Sequence, residues 1–485
     1  MRDGVWQEIC NNGMEMTDIA SLSATELGAL YAAKKLSPVE VARDTLDRIE
    51  RFEGSINAFV LRDRDVTLAM AQASEKRWTN GQPLGPLDGV PTTIKDNLNV
   101  AGWPSRRGSV VTPTAPCAAD SPAVARLREG GAVFLGKTTM PEFGWKGLGH
   151  SPLTGCTRNP WDIATDTGGS SAGGAACAAL NLGPIHIGTD GAGSIRIPAA
   201  FCGVVGFKPS YGRVPAHPIS TMGFLAHLGP LTRTVRDAAL AMTTIARPDP
   251  LDMTATLAPI DDYLAGIADG VKGLRVAWSP RLGGTVELDP DIAALTQAAA
   301  RRFEALGAIV EEADPAFADP VEPLMTLWAP GAALALASIS AEDRRRMDPD
   351  LVCLAERGER TSGVEYCDAL LNARGALATA MAQFHARYDL LLTPALPLPA
   401  FEAGRLTPGH GRYGENWIAW TPFSYPFNLT QQPAISLPCG LTRAGLPAGL
   451  QIVGPFGADA LVLRAAAAFE AVAPFPRIAA PRGTL

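Results

Sequence analysis

Histidine is scarce in this chain. Six histidines are spread over 485 residues, with no H-E-x-x-H pair, so nothing in the sequence supports a metal site. Cysteines are present but unpaired: Cys10, Cys117, Cys156, Cys177, Cys202, Cys353, Cys367 and Cys439 form no C-x-x-C. In a long chain without an export signal that pattern reads as reduced, mostly buried thiols. The opening stretch MRDGVWQEICNNGMEM carries acids and no apolar centre, which excludes a secretory signal. No uninterrupted apolar run reaches membrane-spanning length. Positive charge is not in excess: the net charge of −7 argues against a nucleic-acid backbone as the main ligand. The expectation is a cytoplasmic protein with no nucleic-acid partner and no membrane partner.

What is present points to a large α/β domain. Apolar residues make up 47% of the chain, enough for an extensive core. Ser23-Ala24-Thr25-Glu26 is a capping box opening a helix to about Lys35, and Ser37-Pro38-Val39-Glu40 opens a second with proline at the first position. Beyond about residue 84, short apolar strands (VPTTI, PIHIGTD, GLRVAWS, GAIVEEA, YDLLLTP) alternate with helical stretches. One of these, DPDIAALTQAAARRFEALG, starts on Asp289-Pro290 and closes on Gly307. Residues 315–365 read as irregular and then charged. No repeat or linker divides the chain, so residues 1–485 are expected to form one domain, with 315–420 as a variable, substrate-facing insert.

Two glycine loops carry the chemistry. The first, TDTGGSSAGG at 165–174, holds Ser170 and Ser171 side by side. It lacks the lysine of a Walker A loop and the G-x-G-x-x-G spacing, which argues against phosphate. The second, GTDGAGSIRIP at 188–198, follows a strand-like run. Gly191, Ala192 and Gly193 have little or no side chain, so their N–H groups can converge beside Ser194 as an oxyanion hole. The G-x-S-x-G elbow of α/β-hydrolases does not occur around Ser194. A serine hydroxyl needs a base. His186, inside an apolar strand, reads as a core histidine. A buried lysine can serve once burial lowers its pKa. Lys95 at the end of VPTTI is the best placed, with Lys137 and Lys208 as rivals.

GVPTTIKDN, GGSSAGG, GTDGAGSIRIPAAFCGVVGFKPSYGRVP and LGPLTRTVRDAA, in this order, resemble the amidase signature family. LTQQPAISLPCGLTRAGLPAGLQIVGPFGAD is similar to that family's last strands, so the resemblance spans about residues 20–472. It implies a single domain with a mixed central sheet covered by helices on both faces. It also implies a Ser–cis-Ser–Lys triad: Ser194 as nucleophile, Ser170 as the bridging serine with a cis peptide bond, and Lys95 as base. Gly191, Ala192, Gly193 and Ser194 would supply the oxyanion hole. Ser171, Thr189, Asp190 and Arg196 would brace the two loops. No metal or organic cofactor is implied, and a homodimer is the family's suggestion. Many members carry two glycines before the serine where this chain has Ala192-Gly193.

The expected activity is hydrolysis of a small-molecule carboxylic amide through a Ser194 acyl-enzyme. The glutamine-hydrolysing A subunit of tRNA-dependent amidotransferase is the main alternative. That branch typically reads S-L-D-Q-I-G-P where this chain has FLAHLGP at 224–230. An esterase or carbamate hydrolase would use the same triad, and a dead scaffold would not retain all three residues. The aromatic stretch WIAWTPFSYPFN at 417–428 reads either as a pocket wall for an apolar or aryl group, or as packed core.

Overall fold

Both capping boxes form. Ser23 Oγ accepts the Glu26 N–H and Glu26 accepts the Ser23 N–H, opening helix Ala24–Ala32. Ser37 and Glu40 do the same at the head of Pro38–Ile56. The first helix ends at Ala32 rather than near Lys35. Lys34 takes a left-handed φ of 55°, and the Lys35 N–H folds back onto Leu30 O at 3.0 Å. The structure is a computed structural model and describes residues 18–260, 262–409 and 411–483. The stretch read for an export signal, with Cys10, lies outside the described residues.

Eleven strands form one mixed sheet. They are β1 (Phe59–Arg62), β2 (Pro91–Lys95), β3 (Val133–Thr138), β4 (Ile185–Asp190), β5 (Val205–Lys208) and β6 (His227–Thr232), then β7 (Arg275–Trp278), β8 (Ile309–Glu312), β9 (Leu390–Pro394), β10 (Ala434–Leu441) and β11 (Pro447–Val453). Their spatial order is β1-β3-β2-β4-β6-β5-β10-β11-β9-β7-β8. β2 is parallel to β3 and β4, and β7 is parallel to β8 and β9. The other neighbours are antiparallel.

Successive strand residues face opposite sides of the sheet. Here both sides are core: Leu390 and Leu392 enter one cluster while Leu391 enters another, and Ile435 and Leu437 alternate with Ala434 in the same way. Helices Val235–Ile245, Pro290–Ala305 and Asp459–Val472 cover the first side. Helices Ala172–Ala179 and Arg196–Cys202 meet Leu231 of β6 on the other. The architecture is the α/β domain expected, with its strands where the apolar runs placed them.

Residues 315–365 differ from the expectation. They hold helices Val321–Leu336, Ala341–Arg344 and Pro349–Arg360. The first is apolar on most sides and contains Pro330, so it shows neither a clean polar face nor an unbroken helical pattern. Among the described residues no helix is long and apolar enough to cross a membrane.

Candidate active site

Parallel pairing of β2 and β4, in the register Ile94 opposite Ile187, brings their carboxyl ends to one edge of the sheet. Lys95 ends β2; Thr189 and Asp190 end β4. The loop after β4 turns into helix Arg196–Cys202, and the 165–174 loop runs into Ala172–Ala179. The two loops are tied directly, because the Ser171 N–H donates to Ser194 O at 3.0 Å. The Gly169–Ser170 peptide bond is cis.

Lys95 is fully buried. Its Nζ lies 2.8 Å from Ser170 Oγ, 3.0 Å from Ser171 Oγ and 2.9 Å from Thr189 Oγ1. It forms no ion pair with any described residue. Burial pushes its pKa well below the usual lysine value, opposed only in part by the charge of Asp190. A neutral amine has two hydrogens and one lone pair. Ser171 Oγ donates its own proton to Thr189 O at 3.1 Å, so it accepts from Nζ. Thr189 Oγ1 takes the second amine hydrogen, and Asn97 Nδ2 also donates to it at 3.0 Å. The lone pair is left for the Ser170 O–H.

The rival bases are engaged elsewhere. Lys137 Nζ pairs with Asp96 at 3.1 Å and donates to Pro104 O at 2.9 Å. Lys208 Nζ donates to Gln432 O and Pro209 O. His186 sits in the core between Thr93 Oγ1 and Gly183 O, and burial lowers its pKa to about 3. The letters at 169–173 do spell G-x-S-x-G around Ser171, yet this buried serine is bound to Thr189 O and offers no exposed elbow hydroxyl.

Ser194 Oγ makes no hydrogen bond to a described residue, and Ser194 and Ser170 both line a cavity of about 130 Å³. Below it lies a bound network. Asp190, fully buried, accepts from Arg196 Nε at 2.9 Å and Nη2 at 3.0 Å, from Asn428 Nδ2 at 2.9 Å and from the Gly193 N–H at 2.7 Å. Arg196 also donates to Gln451 Oε1 at 2.8 Å, Asn428 Oδ1 at 2.6 Å and Ser424 O at 2.9 Å. Burial alone would raise the Asp190 carboxyl, but Arg196, Lys208 and Asn428 together hold it far below the usual range. Neither side chain lines the cavity.

Of the four backbone donors expected to face the substrate, the Gly193 N–H is thus turned to Asp190. Those of Gly191, Ala192 and Ser194 have no partner among the described residues. Gly193 has φ 119°, and a Cβ there would come within 2.5 Å of Ser424 Oγ, so only glycine fits. Ala192 does not take a positive φ, so its methyl is accommodated.

The aromatic stretch at 417–428 is packed core: Trp417, Ile418, Trp420, Phe423, Tyr425 and Phe427 are all buried, and none of these residues lines the cavity. Its wall comes instead from Phe143, Tyr211, Met222 and Trp328. Trp328 approaches so closely that a Cβ on Gly191 would meet its ring at 2.9 Å. Sequence reasoning missed Trp328, and it met Ser424, Asn428 and Gln451 only inside longer stretches, without a role for them. They lie far along the chain from both serine loops, and no local pattern marks them. Asn97, two residues after Lys95, was adjacent to a legible motif.

A cavity holding a free hydroxyl, next to a second hydroxyl on a buried lysine, is an arrangement of the kind that serine-dependent hydrolases use. The amidase family model matches residues 40–463. An acylamidase of Rhodococcus erythropolis is 39% identical over 462 residues, covering 94% of this chain and 96% of that protein. The A subunit of the glutamyl-tRNA(Gln) amidotransferase of Moorella thermoacetica is 34% identical over 475 residues, covering 93% and 96%. The crystal structure of a bacterial aryl acylamidase of the amidase signature family superposes with a TM-score of 0.87 at 32% identity, covering 94% and 96%. The chain belongs to the amidase signature family, and it is an amide-hydrolysing enzyme.

Proposed function

We propose that Ser194 is the nucleophile, Ser170 the proton relay and Lys95 the base. The reading rests on one observation: a fully buried lysine without an ion pair, 2.8 Å from a serine hydroxyl. Neutral Lys95 takes the Ser170 proton as Ser170 takes that of Ser194, and Ser194 Oγ attacks the amide carbonyl. The N–H groups of Gly191, Ala192 and Ser194 meet the developing oxyanion; removing one such donor typically costs about 3–4 kcal/mol of barrier. Ser170 then returns the proton to the departing amine, and water cleaves the acyl-enzyme along the same path. Ser171 and Thr189 hold the amine of Lys95, while Asp190, Arg196 and the Gly193 N–H hold the loop.

Phe143, Tyr211, Met222 and Trp328 suit an apolar or aryl group on the substrate. An acylamidase-like hydrolase is favoured over an amidotransferase component. The acylamidase is the more similar of the two relatives, and FLAHLGP departs from the pattern typical of the amidotransferase branch. Esters and carbamates of matched shape would pass through the same acyl-enzyme.

Labelling with a serine-directed fluorophosphonate, followed by peptide mapping, tests the assignment without knowledge of the substrate. The label is expected on Ser194. A label on another serine, or none on the folded protein, overturns it.

A further inference from the structure

Two adjacent arginines, Arg106 and Arg107, follow β2, and they do different things. Arg106 is tied into its own turn: Nη2 donates to Ser109 O at 3.2 Å and Nε to Thr112 Oγ1 at 3.3 Å. Arg107 lines the catalytic cavity, and its guanidinium makes no hydrogen bond or ion pair with any described residue. Its backbone is in the left-handed region at φ 51°, as is that of Phe143, whose N–H donates to Arg107 O at 2.8 Å. Non-glycine residues in that region are uncommon and concentrate where a ligand is held. The next residue, Gly144, packs on the relay serine; a Cβ there would lie 3.3 Å from Ser170 Oγ. The Arg107 backbone is therefore linked, through one hydrogen bond and one chain step, to the Ser170 side chain.

The charge balance of the cavity is one-sided. Arg107 is the sole lysine or arginine among the described lining residues, and Asp252 is the sole carboxylate. Asp252 is already occupied: it accepts from the Ala216 N–H at 2.7 Å, the Thr254 N–H at 2.8 Å and Thr254 Oγ1 at 2.6 Å. Burial keeps the His227 imidazole uncharged. An unpaired planar guanidinium with five donors, on a residue that lines the same cavity as Phe143, Tyr211 and Trp328, is left to meet a planar anion from the substrate. His217 lines the same cavity as an exposed imidazole, and a single guanidinium with no lysine or second arginine among the described lining residues suits a monoanion rather than a phosphate dianion.

We propose that Arg107 is a specificity-determining residue that pairs with a carboxylate carried by the amide substrate, on its acyl or its amine part, at a distance from the scissile bond. This deepens the proposed function and rests on its Ser194 site. The class of substrate is an N-acylated amino acid or aminoaryl acid, or the half-amide of a dicarboxylic acid.

The test uses the whole enzyme and amides matched in shape. One set is 4-acetamidobenzoate, neutral 4-acetylacetanilide and cationic 4-(aminomethyl)acetanilide. A second set places the same charges on the acyl part. In at least one set the anion is expected to have the highest kcat/KM, through a lower KM, and rising salt should shrink that preference. Arg107→Ala should cut the anion-to-neutral ratio about tenfold or more. Arg107→Lys should retain much of the ratio, and Arg107→Glu should turn it toward the cation. Anion preference absent from both sets in the native enzyme overturns the proposal, whatever the variants do. So does a preference that Arg107→Glu leaves in place. Ser194 labelled by fluorophosphonate in the same preparation separates failure of this assignment from failure of the acyl-enzyme reading.

Discussion

Lys95 Nζ and Ser170 Oγ lie 2.8 Å apart at the end of a strand, and no acid among the described residues pairs with the amine. A lysine salt-bridged to a carboxylate would hold its proton and could not accept another. Lys137, paired with Asp96 at 3.1 Å, is that opposite case within the same sheet.

Ser194→Ala removes the only hydroxyl of this cluster that is open to the cavity and free of hydrogen bonds. Amide turnover is expected to fall by about 10⁶-fold, with the circular dichroism spectrum and thermal midpoint unchanged. Activity near that of the native enzyme would remove Ser194 from the mechanism.

Lys95→Ala should be nearly as severe as Ser194→Ala. Lys137→Ala should act on stability, because it leaves Asp96 buried without its partner, about 3–5 kcal/mol in a denaturant titration. Ser170→Ala should retain more turnover than either catalytic change, since a water in the vacated space can carry the proton. If Lys137→Ala proved catalytically dead and stable while Lys95→Ala stayed active, the base would be misassigned.

The pH dependence follows from the lowered pKa of Lys95. In the proposed mechanism turnover requires the neutral amine, so kcat/KM should fall on the acid side as pH drops through that value. Stability has a linked sign. Below the ordinary lysine pKa the unfolded chain binds a proton that native Lys95 does not, so this residue makes the fold less stable as pH falls. Lys95→Met, which cannot be protonated, should therefore gain stability relative to the native chain as pH is lowered from about 10 toward 7. Parallel unfolding curves at both pH values would show that burial does not hold the amine neutral.

Arg196→Met should be strongly destabilising although Arg196 does not line the cavity that holds Ser194. It strands the Asp190 charge and the Asn428 and Gln451 carbonyls, at a cost of about 3–5 kcal/mol. Chemical denaturation reads the stability. Residual activity in the folded fraction should drop as well, because the loop carrying Ser194 loses its anchor. A loss of less than about 1 kcal/mol would mean that the network is not what holds the loop.

Much of this was legible in the residues, and the reasons are local. Ser23 with Glu26, and Ser37 with Glu40, cap helices through bonds three residues apart, so four letters suffice to place them. Strands buried on both faces read as unbroken apolar runs such as LLLTP. Lys95, Ser170 and Ser194 stand in long motifs that a family resemblance carries. What lay beyond the sequence depends on contacts between distant segments. WIAWTPFSYPFN has the same aromatic content whether it lines a pocket or fills a core, and only packing against the sheet decides for the core. Helix Val321–Leu336 hides its period behind apolar residues and Pro330, yet it delivers Trp328 to Gly191. Asp190 and Arg196 are close in the chain, but Asn428 and Gln451, which complete their network, arrive from more than two hundred residues away. The direction of the Gly193 N–H is a matter of φ and of one carboxylate, and no letter records it. Composition and short-range pattern determined the elements and the reactive groups, because those depend on neighbours in sequence. The tertiary structure decided which buried lysine meets the serines, which donors stay open and which arginine is left unpaired. Burial and partner geometry are properties of the assembled chain alone.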